Sequence, residues 1–297
     1  MTNETKMKNG AKKGRGNPLF ILLFVVLAVY AVILLLPMVW GFFTSLKTLD
    51  GFMDDKIWPS AKMTFENFVN AFKGITYTVN TPTGSYDVFF PEMLLNSFIF
   101  AAGGALCTTF VTCITAYLVA KFPYKFSKFV YGAVIVTMIL PVVGSLPAQV
   151  RMAKLIGVHD TMWGALIMSA NFTNLYFLVF YATFKATAKD YSEAASIDGA
   201  GNFTIFARLM LPLVGGTFFI VFLMHFITRW NDYQTPFIFL ESHPVVSSGI
   251  YRFALNDYSQ EPVKVAGGVI MFLPVLVLFL LFYKKMMSSF SVGGLKG

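Results

Sequence analysis

The sequence predicts an all-α polytopic membrane protein with six transmembrane helices and both termini in the cytoplasm. Three observations carry that expectation. The 297 residues are 56% hydrophobic and only 13% charged, where a soluble domain carries roughly 25% charged residues, and the mean hydropathy is +0.66. Six stretches, at about 19–46, 93–120, 127–147, 161–184, 212–240 and 265–287, are apolar over the roughly 20 residues a helix needs to cross a hydrocarbon core about 30 Å thick. Charge placement gives the orientation. With the N-terminus inside, the inner segments hold Lys6, Lys8, Lys12, Lys13 and Arg15; Lys121, Lys125 and Lys128; Lys185, Lys189 and Arg208; Lys284, Lys285 and Lys296, fourteen cations in all. The outer segments hold eight: Lys47, Lys56, Lys62, Lys73, Arg151, Lys154, Arg252 and Lys264. Arg229 lies within a span. The positive-inside rule favours this orientation over its reverse.

Residues 1–17 are rich in Lys, Gly and Asn and are expected to form a disordered cytoplasmic tail. Their charge fits topology and anionic membrane lipid rather than nucleic acid. The transmembrane domain is expected over 18–290, followed by a short cytoplasmic tail, 291–297. Span one begins at Pro18, a natural first-turn residue, and ends at the polar run Thr44-Ser45-Leu46-Lys47. Its apolar run is too long for a cleaved signal and no small-x-small site follows, so it reads as a retained anchor.

The outer loop 47–92 is the longest piece outside the spans. Within it Phe65, Phe68, Val69 and Phe72 recur at i, i+3, i+4 and i+7, the spacing of a short amphipathic helix on the outer membrane face or on neighbouring spans. Asn80–Ser85 reads as a turn. Spans two and three are joined by the short inner turn Lys121–Lys125, and three and four by the outer loop Arg151–Asp160. Pro141, Gly144 and Pro147 crowd the end of span three. No repeat of 20–50 residues is visible. Cys107 and Cys113, six apart in span two, are expected to be packing residues, neither a CxxC pair nor a metal set.

Spans four and five are joined by a polar inner loop, 185–211. Asp190 and Glu193 have capping-box spacing, Ala194, Ala195, Ser196 and Ile197 continue a turn or two, and Gly199 and Gly201 stop it. Asn202 is placed to cap a second helix, Phe203 to Leu211, that runs into Pro212 and span five. A short capped helix is a stiff peg. Small side chains at Ala194, Ala195 and Gly199 leave a face that another protein's groove can approach closely, and Gly199 allows a turn that a bulkier residue would resist.

Other polar groups are weighed against structural roles. Trp230-Asn231-Asp232, with Arg229 before them, put charge in an apolar span, which is costly and is either paired or functional; an Arg229/Asp232 i,i+3 pair with Trp230 in the interfacial belt is one reading, a pathway lining the other. Asn96, Asn171, Asn174 and Tyr176 lie in apolar stretches and either join helices by hydrogen bonds or line a pathway. His225 reads as a satisfied packing histidine. In the outer loop 241–264, Tyr251, Arg252, Asn256, Asp257 and Tyr258 belong to a solvated connector or touch a delivered solute or its carrier. There is no Gly-Lys dipeptide and hence no P-loop, no His-Glu-x-x-His, no serine nucleophile elbow and no metal set. The chain is therefore expected to be neither an enzyme nor a nucleotide binder.

Residues 193–212, Glu-Ala-Ala, three residues, Gly199, nine residues, then Leu209-Met210-Leu211-Pro212, resemble the EAA loop, E-A-A-x3-G-x9-I-x-L-P, of bacterial ABC importer permeases. The spacing is intact, with Leu209 where Ile is usual. The tail Ser291–Gly297, the segment from Leu140-Pro141 to Leu155-Ile156-Gly157, and Trp230-Asn231-Asp232 (with Tyr233 where Phe is usual) are similar to carbohydrate permeases of the MalG-like kind. The resemblance implies the type I ABC importer permease fold in the bacterial cytoplasmic membrane and a heteromeric importer of a sugar, an oligosaccharide by that likeness. The implied partners are a second, MalF-like permease, two cytoplasmic ATPase subunits that bind the ATP and Mg, and an extracellular sugar-binding protein; no cofactor belongs to this chain. It implies ATPase coupling through Glu193, Ala194, Ala195, Asp198, Gly199, Leu211 and Pro212. Two rival classes remain: a self-sufficient secondary transporter, which would need an ion site in its spans, and a membrane scaffold or insertase.

Overall fold

Helix α1 (Pro18–Ser45) is apolar on every side, and each residue from Pro18 to Trp40 is exposed. A helix without a polar face has no soluble surface to present, so its solvent is lipid or another membrane chain. The computed structural model describes residues 18–140, 144–256 and 260–292, with side chains as far as residue 284. The tails 1–17 and 293–297, Pro141, and the candidate contacts Asp257 and Tyr258 lie outside the described residues.

A small cap follows α1. Thr48 Oγ1 accepts the Gly51 N–H at 3.2 Å and so caps α2 (Leu49–Asp54). Lys47 is 0% exposed and its Nζ donates to the Asp55 carbonyl at 2.8 Å. Asn67, on α3 (Glu66–Gly74), donates to the carbonyls of Ser45 and Lys47 at 2.9 and 2.7 Å. The expected helix is thus present, but it buries Asn67 and Ala71, while Phe65, Val69 and Phe72 stay exposed.

The all-α expectation needs one correction. β1 (Thr76–Thr81) and β2 (Gly84–Phe89) form an antiparallel hairpin, Thr76 opposite Phe89 and Thr81 opposite Gly84. Tyr77, Val79 and Val88 alternate inward and meet Ala71, Met93, Phe253 and Ala266 in a core of their own.

The chain then runs through α4 (Phe90–Phe98), a π turn at Ile99–Gly103 and α5 (Gly104–Lys121) as one continuous apolar span of 32 residues. After it come α6 (Lys125–Ile139), α7 (Leu146–Leu155), α8 (Met162–Met168), α9 (Leu175–Ala186), α10 (Asp190–Ile197), α11 (Asn202–Thr204), a second π turn at Ile205–Met210, α12 (Leu211–Leu213), α13 (Gly215–Trp230), α14 (Gln234–Phe239), α15 (Val246–Ala254) and α16 (Glu261–Val292).

Among the described residues, three helices are long and apolar enough to cross a membrane: α1, Phe90–Lys121, and Glu261–Lys284 of α16. A fourth span results if Asn202–Leu213 and α13, which meet at 76°, are one broken span. The other expected stretches are not single helices. Helix α6 has 15 residues, about 22 Å at 1.5 Å per residue. The stretch 161–184 is interrupted between α8 and α9. There Asn171 Oδ1 accepts from the Thr173 N–H and hydroxyl, both at 2.7 Å. Asn174 Oδ1 accepts the Tyr176 N–H at 3.0 Å and caps α9. Such local side-chain bonds satisfy backbone groups outside a helix and compete with it. A second core joins α5, α9 and the segment after α10 through Tyr117, Phe177, Phe180, Phe184, Phe206 and Met210.

Candidate functional site

None of the residues of α10 is buried. Its C-terminus is closed by a Schellman arrangement: Ala200 N–H donates to the Ala195 carbonyl and Gly199 N–H to the Ser196 carbonyl, each at 3.0 Å, and Gly199 has φ +82°. A Cβ built on Gly199 would meet nothing within 4 Å. The glycine is therefore needed for its backbone conformation and leaves an open surface beside it. The expected capping box is not formed. Lys189 occupies the N-cap position, without a side-chain cap bond, and its carbonyl takes the N–H groups of Ser192 and Glu193 at 2.9 and 3.0 Å. Asp190 thus already lies in the helix. Asn202 likewise starts α11 without capping it; Gly201 precedes it in extended conformation.

What ties this peg to the spans is the π turn. Ile205, Phe206 and Met210 are buried, and the Phe206 ring lies 4.9 Å from Tyr117, whose ring is 5.3 Å from Phe184. Ala195 and Ala200 pack on the edge of the same core. Lys121 Nζ donates to the Thr187 carbonyl at 2.8 Å and fastens the start of the loop to the end of α5. Pro212 lies just before the 76° bend into α13, with Leu211 half-buried beside it. Glu193, Ala194, Asp198 and Gly199 are exposed on the loop. Two residues absent from the sequence-based set join them: Ile197, 86% exposed, and Phe203, 81% exposed. Large apolar side chains in a polar loop between spans were the available signal.

The candidate pathway residues are dispersed. Asn96 is buried and donates to the Pro244 carbonyl at 3.1 Å. Asn171 and Asn174 cluster with Thr112, whose hydroxyl donates to the Asn171 carbonyl at 3.2 Å and accepts from Asn174 at 3.0 Å. Tyr176 packs edge-on against His225 at 4.8 Å, and His225 Nε2 is buried without a hydrogen-bond partner among the described residues, contrary to the expectation of a satisfied histidine. Trp230 is 2% exposed, stacked on Phe226 at 5.7 Å and donating to the Met271 carbonyl at 3.1 Å. It packs between α13 and α16. Asn231 is exposed and bonds its own helix at the Ile227 carbonyl, 2.8 Å. The Arg229/Asp232 pair is not formed among the described residues. Asp232 Oδ1 accepts the Thr235 N–H at 3.0 Å, and the Arg229 guanidinium lies over the Phe100 ring at 5.5 Å.

On α15, Tyr251 stacks on Tyr233 at 4.4 Å. Arg252 sits 4.0 Å over the Tyr77 ring and 5.1 Å from Phe237, and donates to the Thr78 carbonyl at 3.3 Å. Burial pushes the Tyr77 phenol above its ordinary value, with Arg252 pulling the other way. Asn256 is exposed.

The family described as binding-protein-dependent transport system inner membrane component matches residues 108–289. The trehalose transport system permease protein SugB of Mycobacterium tuberculosis is 25% identical over 272 residues, covering 89% of this chain and 93% of that one. The trehalose/maltose transport system permease protein MalG of Thermococcus litoralis is 27% identical over 284 residues, covering 93% and 97%. A crystal structure of a bacterial ABC transporter involved in the import of the acidic polysaccharide alginate contains a chain of similar fold, with TM-score 0.72 at 20% identity over 91% of this chain and 97% of that one. With more than half of its length matched, the chain belongs to the family of binding-protein-dependent transport system inner membrane components, whose members are non-catalytic transport subunits.

Proposed function

We propose that this chain is the MalG-like permease subunit of an ATP-driven sugar importer of the bacterial cytoplasmic membrane, with both termini inside. It forms the translocation pathway with a second, MalF-like permease, receives an oligosaccharide from an extracellular binding protein, and couples to two ATPase subunits, which bind ATP and Mg, through Glu193–Pro212. The observation that carries this reading is the exposed α10 peg, closed by Gly199 and rooted through Phe206 and Met210 in the core of α5 and α9. A rigid lever of this kind transmits closure of an ATPase pair to the spans, which switch between inward- and outward-facing states as a two-state element biased by nucleotide. Ile197 and Phe203 supply apolar area for the docking. Support for an oligosaccharide comes from the relatives named for trehalose, trehalose/maltose and melibiose/raffinose/stachyose transport.

The test is to solubilise the chain gently from its native membrane and identify what copurifies. An ATPase and a second permease are expected; recovery of the chain alone, monodisperse and transporting by itself, would favour a secondary transporter. Gly199→Asp is expected to abolish uptake while leaving the chain inserted, because a charged side chain then occupies the open docking face. Normal uptake by that variant would sink the coupling role.

A further inference from the structure

Arg229 lies near the end of α13, half-buried among apolar helices. A guanidinium carries five N–H donors in a flat fork and keeps its charge. Among the described residues it makes one hydrogen bond, from Nη2 to Thr108 Oγ1 at 3.3 Å, which is long. Thr108 Oγ1 is a neutral acceptor, its own proton donated to the Ser169 carbonyl at 2.6 Å or the Gly104 carbonyl at 2.9 Å, so it leaves the guanidinium charge unpaired. The Phe100 face at 5.5 Å supplies cation–π attraction but no acceptor. Thr228 bonds the Met224 carbonyl at 2.9 Å and Asn231 the Ile227 carbonyl, while Asp232 accepts the Thr235 N–H and acts on Arg229 only through space, without an ion pair. No carboxylate among the described residues lies within 4.0 Å of Arg229. The space it occupies is nonetheless made for it. A Cβ on Gly104 would come within 2.9 Å of Nη1 and 3.0 Å of Cζ, so alanine there would shift the guanidinium.

A cation held in a fitted slot inside a span, with most of its donors unused, is costly unless an anion completes it. We propose that Arg229 is the receptor for an oxyanion, a carboxylate, phosphate or sulfonate, that this chain does not itself supply. The fork geometry matches such a group in bidentate fashion. The anion comes either from the solute, which would then be an acidic saccharide, or from an acidic side chain of the second permease. This inference rests on the transport reading above.

The experiment uses the assembled importer in proteoliposomes with its binding protein, and follows uptake of labelled neutral disaccharides, each paired with the matching uronate. The variants are Arg229→Gln, which keeps the reach but removes the charge, and Gly104→Ala, which keeps the charge but displaces it. Recovery of the second permease with each variant is measured in the same preparations. For a solute anion, the uronate-to-neutral uptake ratio falls at least tenfold in both variants. For an anion of the second permease, that ratio is unmoved, and recovery of the second permease falls at least tenfold with Arg229→Gln and is restored by Arg229→Lys. If neither the ratio nor the recovery changes, the proposal is overturned. Gly199→Asp, run alongside, separates this from the coupling role: normal uptake in that variant refutes coupling and leaves the Arg229 result standing.

Discussion

Gly199 and Gly201 stand two residues apart and do different work. Gly199 holds φ +82°, where an L-residue costs about 1–2 kcal/mol. Gly201 has φ −71° and ψ 158°, extended backbone that any residue adopts, and open space at its Cβ. Gly199→Ala should therefore weaken the Ala195–Ala200 closure by about 1–2 kcal/mol, read as roughly five- to thirtyfold faster hydrogen exchange at the Gly199 and Ala200 amides, whereas Gly201→Ala should shift those amides by about 0.5 kcal/mol or less. Equal effects at the two positions would mean that the loop does not depend on the left-handed turn. Gly199 was legible in the sequence because the stop signal and the spacing to Pro212 fell together. Asp190 was not: the residue pattern allows a capping box, but the helix begins one residue earlier than that pattern needs, with the Lys189 carbonyl taking the first N–H groups.

Among the elements, the cap that follows α1 tests how a buried charge serves a fold. Lys47 is enclosed completely and bonds the Asp55 carbonyl at 2.8 Å. Lys47→Ala removes that bond, leaves a carbonyl unsatisfied and opens a cavity, a loss of about 2–4 kcal/mol to the cap, visible as new proteolytic cleavage within 49–63. Lys47→Met, which keeps the volume, should lose about half as much. Asp55 adds a pH dependence. Its carboxylate accepts the N–H groups of Trp58 and Ile57 at 2.9 and 2.8 Å, and these hold it below its ordinary value of 3.8. The contribution is thus present above pH 3.8 and is lost as pH falls through the depressed value. Cleavage of the cap should rise only in that acid range, and a cap equally resistant there would remove Asp55 from the account. The hairpin beside this cap escaped a reading tuned to helical spans because its two strands are six residues each. Its alternation of Tyr77 and Val79 is short enough to pass as loop. The break between α8 and α9 escaped for a different reason: hydropathy averages over Asn171 and Asn174, while the chain responds to their individual hydrogen bonds.

For the whole molecule, the strongest constraint is the mismatch between what this chain exposes and what it can bury alone. Helix α1 leaves its full apolar surface open, and the loop exposes the apolar Ile197 and Phe203 among polar neighbours. Lipid or a second membrane chain satisfies the first; on the coupling reading proposed above, a protein surface in the aqueous phase satisfies the second. Topology makes this testable, since the charge rule places the loop 185–211 inside and the hairpin outside. In a chain with Cys107 and Cys113 changed to alanine, Phe203→Cys should react with a membrane-impermeant maleimide only when the reagent reaches the cytoplasmic face, and Thr83→Cys, at the exposed hairpin turn, only from the external face. Adding the ATPase partner should slow labelling at position 203 at least tenfold, because the docked partner covers the thiol there, and should leave position 83 unchanged. Labelling of both positions from one side would reverse the predicted arrangement of the spans. Unslowed labelling at 203 in an assembled complex would leave α10 and its flanking apolar residues without the contact that their exposure demands.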